Sequence, residues 1–277
     1  MNSLKGKIAL VTGGSRGAGK AIAIELGKAG AVVYVTGRST KRSSPHDFPG
    51  TIEDTAAEIQ AAGGKGIGVV CYHTNAANVE ELIKRIDQEQ GRLDILVNNV
   101  WGGNELSIDA APFWELPLEH WDNMFTSGVR AQLTANYFAI PLLRKNRKGL
   151  IVHTSFWDHD KYIGNFYYDL SKNALNRMAY GLSVELKNDN IAVVAVSPGF
   201  MRTELVLKSF QTDKDHWQKI SELASSETPH YVGRAVAALA GDPQILSKTG
   251  QILRAGDLAK EYQFTDIDGR VIPPFEI

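Results

Sequence analysis

Short runs of β-branched and aliphatic residues alternate along the chain with longer stretches of helical periodicity. Ile8–Thr12, Val32–Thr36, Ile67–Cys71, Leu93–Val97, Leu150–Thr154, Ile191–Ser197 and Gln251–Leu253 read as strands. Most are apolar at nearly every position rather than at alternate ones, as expected of strands covered on both faces of a parallel sheet. Helices are predicted over Gly19–Ala29, Ile52–Ala62, Asn78–Gln90, Leu118–Leu143, Tyr168–Lys187 and His230–Ala240. The alternation predicts an α/β fold, a doubly wound parallel sheet of about seven strands with helices on both faces. No repeat, low-complexity tract or linker interrupts it, so residues 1–277 are read as a single domain.

Three stretches break the rhythm: Thr40–Gly50, Trp101–Pro117 and Met201–Thr228. Each follows a strand, and open α/β sheets bind ligands at the carboxyl ends of their strands, so the second and third are candidate substrate loops. The balance of charge narrows the partners. Lys and Arg total 30 against 31 Asp and Glu, a formal net charge of −1, which leaves no electrostatic footprint for nucleic acid or an anionic membrane. Cys71 is the sole cysteine, which excludes an intrachain disulfide and predicts a reducing, cytoplasmic setting. Residues 1–7 hold no apolar leader core and no run of 18 apolar residues follows, so secreted and membrane-spanning classes are not expected.

The first strand runs directly into Thr12-Gly13-Gly14-Ser15-Arg16-Gly17-Ala18-Gly19 and then a helix. A strand, glycine turn and helix N-terminus gather backbone N–H groups into a phosphate site, which predicts a Rossmann-type dinucleotide fold. Gly13, Ser15, Arg16, Gly17 and Gly19 are the candidate contacts. Gly13-Gly14-Ser15-Arg16-Gly17 also satisfies the G-x-S-x-G nucleophile elbow, but a hydrolase places that turn mid-sheet rather than after the first strand. About twenty residues on, such folds carry an acid for a ribose 2′-OH or an arginine for a 2′-phosphate. Here the second strand ends Thr36-Gly37-Arg38, and Arg16 adds a second guanidinium, so NADP(H) is expected over NAD(H).

Tyr168 and Lys172 stand four apart at the beginning of a predicted helix, which places both on one face. A neighbouring ammonium favours the phenolate, so the Tyr168 pKa is expected to fall. Ser155, at the end of the fifth strand, can hydrogen-bond a carbonyl oxygen held against that tyrosine.

On these residues the chain resembles the short-chain dehydrogenase/reductase family along nearly its whole length. The resemblance rests on Thr12–Gly19, on Asn98-Asn99, Ser155 and Tyr168-x3-Lys172, and on Ser197-Pro198-Gly199. Thr36-Gly37-Arg38, Asn98–Gly103 and Gly128-Val129-Arg130 are most similar to its member-1-like branch of mammalian and bacterial reductases. The resemblance implies hydride transfer between a nicotinamide ring and a carbonyl/alcohol pair. It makes Tyr168 the acid or base, Lys172 its partner and a ribose ligand, and Ser155 the carbonyl ligand. Asn99 would line the cofactor, while Gly199, Met201 and Thr203 would close around its nicotinamide end. By the same resemblance the partners are a small carbonyl or alcohol and further copies of the chain, as a dimer or tetramer.

Three features depart from the family pattern. Val100-Trp101 replace a usual Ala-Gly, Tyr72 replaces an aspartate that contacts adenine, and Gly128 replaces the asparagine that completes a catalytic tetrad. Gly128 either widens or kinks the helix, freeing a carbonyl for a relay water, or makes room for a neighbouring helix or for Trp101. The latter departure keeps a non-catalytic dinucleotide-binding sensor or scaffold in view as the alternative, and a lyase or epimerase would use the same Tyr and Lys. The seven histidines carry no metal-binding spacing. Asp158-His159-Asp160 reads as a solvated loop cluster and Arg144–Lys148 as a helix-end complement to the dipole. Trp101, Phe113, Trp114, Phe156, Trp157 and Phe166 together predict a hydrophobic substrate pocket.

Overall fold

The computed structural model describes residues 3–44, 49–157, 159 and 161–276; residues 45–48 of the first long loop, and Asp158 and Asp160, lie outside them. Seven strands form one parallel sheet in the order β3-β2-β1-β4-β5-β6-β7. They are β1 Ile8–Thr12, β2 Val32–Gly37, β3 Lys65–Val70, β4 Ile95–Asn98, β5 Gly149–Thr154, β6 Ile191–Ser197 and β7 Ile252–Arg254. The helices are α1 Gly17–Lys28, α2 Ile52–Ala61, α3 Ala76–Gln90, α4 Ala131–Lys145, α5 Phe166–Glu185, α6 Glu204–Ser209, α7 Pro229–Gly241 and α8 Ala255–Tyr262. The continuous apolar runs are buried throughout in β1, β4, β5 and β6, the behaviour expected of strands covered on both faces.

The chain falls into two compact units. The first comprises Met1–Val70, Pro198–Pro243 and Leu253–Phe275. In it β1 pairs with β2 and β2 with β3, Ile8 opposite Val32 and Val32 opposite Lys65. α7 lies so close to α1 that a Cβ on Gly233 would come 2.9 Å from the Ala21 carbonyl oxygen. The second comprises Cys71–Ser197, Gln244–Ile252 and Glu276–Ile277. In it β4 pairs with β5 and β5 with β6.

The predicted helix Leu118–Leu143 is not one regular helix. Residues Trp121–Arg130 are π-helical, and regular α-helix begins only at Ala131. The turn is widened at Gly128 as its low helix propensity suggests. Its carbonyl is not left free, however, because the Ala131 N–H donates to it. The third long loop is also more regular than its composition implies, since it holds α6 and two short 3-10 turns. No described helix is long and apolar enough to cross a membrane.

Candidate active site

In the first unit, β1 delivers the chain into a turn with Gly13 at φ 67° and Gly17 at φ 53°, the left-handed region that glycine enters without steric cost. Gly14 is equally constrained, because a Cβ there would lie 2.6 Å from Val35 Cγ1. α1 starts after Arg16 without a side-chain cap, so its N-terminal amides remain directed outward. The Gly17 N–H donates to Glu204 Oε2 at 3.1 Å. An anionic oxygen therefore already occupies the helix N-terminus.

The Arg16 guanidinium donates to Ser39 Oγ at 2.7 Å and to the Gly50 carbonyl at 3.2 Å, while its buried Nε has no protein acceptor. Burial lowers its pKa, Glu204 opposes that fall, and the positive charge of Arg38 adds to it. Arg38 itself is exposed at the end of β2. Two mutually repelling guanidiniums beside a helix N-terminus whose first amide already holds a carboxylate oxygen fit a ligand bearing several phosphate charges. Thr203 caps α6 by accepting the Val206 N–H at 3.3 Å, which fixes the Gly199–Thr203 segment.

In the second unit, Asn165 caps α5. Its Oδ1 accepts the Tyr168 N–H at 3.0 Å and its Nδ2 donates to the Asp109 carbonyl at 2.9 Å, which fixes where Tyr168 leaves the helix. One turn later Lys172 is buried, at 9% exposure. Ser155 is buried at the end of β5, and its hydroxyl donates to the Lys172 carbonyl oxygen at 3.0 Å. The structure therefore brings Ser155, Tyr168 and Lys172 together around the first turns of α5. Tyr167, which the spacing had passed over, is buried in a cluster with Leu116 and Met124.

The expected fall in the Tyr168 pKa does not occur. Burial pushes the phenol up to about 12 and the Lys172 ammonium down to about 7. The ammonium lies 3.7 Å from the Trp101 ring centroid and 5.4 Å from that of Tyr168, so it sits closer to the indole than to the phenol ring. Trp101 and Tyr168 meet edge to face, their centroids 5.7 Å apart, and Phe156 meets Tyr168 at 6.1 Å. Asn99 Oδ1 accepts the Thr154 hydroxyl at 3.3 Å, and Tyr72, after β3, is half exposed.

Several groups around these sites carry no sequence signal. Asn98 donates to Asn136 at 2.7 Å, Asn136 contacts His153 at 3.3 Å, and His153 reaches Gln132 at 2.8 Å, a buried polar chain linking β4, β5 and α4. Glu227, 1% exposed, pairs with Met201 in an isolated bridge and accepts the Gly199 N–H. Among the described residues, no group of three His, Cys, Asp or Glu could hold a metal ion.

The seven-stranded parallel sheet is a Rossmann-type fold, and comparison with known proteins places the chain more closely. A family model described as short chain dehydrogenase matches residues 7–214, and the chain belongs to the short-chain dehydrogenase/reductase family. The chain is similar to dehydrogenase/reductase SDR family member 1 of Mus musculus, 36% identical over 281 residues, with 98% of this chain and 87% of that protein covered. Among solved structures, a short chain dehydrogenase from Mycobacterium thermoresistibile is similar with a TM-score of 0.82, 27% identity and coverage of 98% and 92% of the two chains. A hydroxysteroid dehydrogenase from Escherichia coli is similar with a TM-score of 0.75, 28% identity and coverage of 92% and 97%. The chain is thus an oxidoreductase acting on a CH–OH/C=O pair of a small molecule with an NAD(P) nucleotide.

Proposed function

We propose that the chain is an NADP(H)-dependent reductase of hydrophobic carbonyl compounds, with Tyr168 the proton donor, Lys172 its cationic partner and Ser155 the ligand of the carbonyl oxygen. The observation that carries this reading is the convergence of Ser155 Oγ, the partly buried Tyr168 and the buried Lys172 on the start of α5. Bound NADPH supplies the hydride; the protein supplies the proton and the orientation. With its pKa raised, Tyr168 holds its proton at neutral pH, so reduction is the direction in which its resting form is the reactive one. Ser155 turns its hydroxyl from the Lys172 carbonyl towards the substrate oxygen, exchanging one acceptor for another.

The hydrophobic substrate class is supported by ring-rich walls. Phe113 packs on Phe166 at 4.7 Å, Trp121 stacks on Phe125 at 4.3 Å, and Trp114 remains 79% exposed. A hydroxysteroid dehydrogenase among the similar structures acts on a substrate of that character. The preference for NADP(H) is supported by Arg38 and Arg16. NADPH is expected to bind more tightly than NADH, and Arg38→Asp to reverse the order, because a carboxylate repels the 2′-phosphate and accepts from a free 2′-OH. Titration of both cofactors into both proteins checks this; equal affinities in the parent would refute it. Turnover of a panel of ketones and alcohols with both cofactors tests the activity itself.

Glu204 bears on the same site. Its carboxylate lies on the amide that a phosphate would use, so Glu204→Gln is expected to tighten NADPH binding several-fold by removing like-charge competition. Calorimetric affinities of the two proteins are the measurement, and weaker binding in the variant would contradict it.

A further inference from the structure

Trp101 occupies space that two glycines leave for it. A Cβ on Gly103 would come within 2.4 Å of Cζ2, 2.6 Å of Cε2 and 2.8 Å of Nε1 of the indole. On the opposite edge of the ring, a Cβ on Gly128 would lie 3.0 Å from Cε3 and 3.1 Å from Cζ3. Gly102 lets the loop itself lie against the π-helical segment, where a Cβ would meet the Asn123 carbonyl oxygen and Ser127 Cβ, both at 2.6 Å. Glycine inside a helix is costly, and Gly128 is the residue that the widened turn brings against the indole. With both edges so confined, the ring presents a face to the Lys172 Nζ, 3.7 Å from its centroid.

We propose that Trp101 is a positioning residue for Lys172: its indole face holds the buried ammonium in place and in its charged form, and Gly103 and Gly128 are the small partners that admit the ring. The inference rests on the catalytic reading above only for what Lys172 does, not for what holds it.

The chemistry favours this role. An indole face attracts a cation through its quadrupole, most strongly where water is excluded. Lys172 is such a site, and burial on its own drives it towards the neutral amine. The groups that face it are few. Tyr168 comes from its own helix, Trp101 from the loop after β4, and Ser155 from the end of β5 touches only its main-chain carbonyl. Among the described residues no carboxylate pairs with Lys172, so the indole, nearer than the Tyr168 ring, is the principal group that opposes desolvation. The support of the lysine that the family resemblance assigns to an asparagine at position 128 passes to a ring against which any side chain there would press.

The test uses cofactor-free protein first. The lysine Nζ resonances are followed against pH by NMR in the parent, Trp101→Phe and Trp101→Leu, with Lys172→Met assigning the signal. Trp101→Leu is expected to lower the Lys172 pKa by about one unit, and Trp101→Phe by less, since a benzene face is the weaker partner. In turnover with NADPH and a ketone that the parent reduces, the alkaline limb of kcat/KM is expected to move to lower pH by the same amount. Gly128→Ala, which pushes on the ring, is expected to move the limb in the same direction when Trp101 is present and not in the Trp101→Leu background. An unchanged Lys172 pKa in Trp101→Leu, or an equal effect of Gly128→Ala in both backgrounds, would overturn the proposal. If Trp101→Leu fails to fold, Trp101→Phe and Gly128→Ala give the same decision. Full turnover by Lys172→Met would instead overturn the catalytic reading, while the NMR titration would still decide whether the indole holds the ammonium.

Discussion

Tyr168→Phe is expected to lower the rate of carbonyl reduction about 10²–10⁴-fold while leaving NADPH affinity nearly unchanged. The substitution removes one oxygen and little else. The ring keeps its edge-to-face contact with Trp101 and its contact with Phe156, and the Asn165 cap acts on the residue 168 main chain, so α5 starts as before. What is lost is the proton that must reach the developing alkoxide, and no described side chain on this turn replaces it. Lys172 faces the indole, and the Ser155 hydroxyl is engaged with the helix carbonyl. Single-turnover rates with saturating NADPH, together with a fluorescence titration of the cofactor, separate chemistry from binding. A variant that reduces the parent's substrate at the parent's rate would remove Tyr168 from the mechanism.

The parts of this picture visible in the sequence are those governed by local pattern. β1 and β6 have the bounds that their apolar runs predict, and the glycine turn lies between β1 and α1 where its spacing puts it. The segment before α4 was not visible in the same way. An apolar periodicity continues through residues 118–143 whether the backbone bonds span four residues or five, and only Gly128 marks the disturbance. α6 and α8 are too short, at 6 and 8 residues, to show a periodicity of their own. The Tyr168 pKa illustrates a different limit. Spacing brings a cation near the phenol, but its effect depends on where the ammonium points and on how much water remains, and both are set by residues distant in the chain. Trp101 was legible as a departure, whereas its contact with Lys172 exists only once β4 and α5 are assembled.

Glu227→Gln is expected to stabilise the protein increasingly as pH rises from about 4.5 to about 8, reaching on the order of 4 kcal/mol. Glu227 is enclosed, and its Oε1 has no protein donor. Burial raises its pKa to about 8; the Gly199 N–H and Arg202 pull it down, and Asp266 pushes it up. Below its ordinary value of 4.5 both folded and unfolded chains carry the proton, and the site costs nothing through ionisation. Between 4.5 and 8 the unfolded chain releases the proton while the folded chain keeps it, so stability falls by about 1.4 kcal/mol for each pH unit. Above 8 both states are ionised and the cost no longer grows. Gln keeps the size and can still accept the Gly199 N–H, yet it has no proton to retain, so the difference between variant and parent isolates this one group. Gly199 and the bridge to Met201 connect Glu227 to the segment that the family resemblance assigns to the nicotinamide end of the cofactor. Denaturant midpoints of the two proteins at pH 4, 6 and 8 measure the effect. Parallel stability curves across that range would show that Glu227 is ionised in the folded chain.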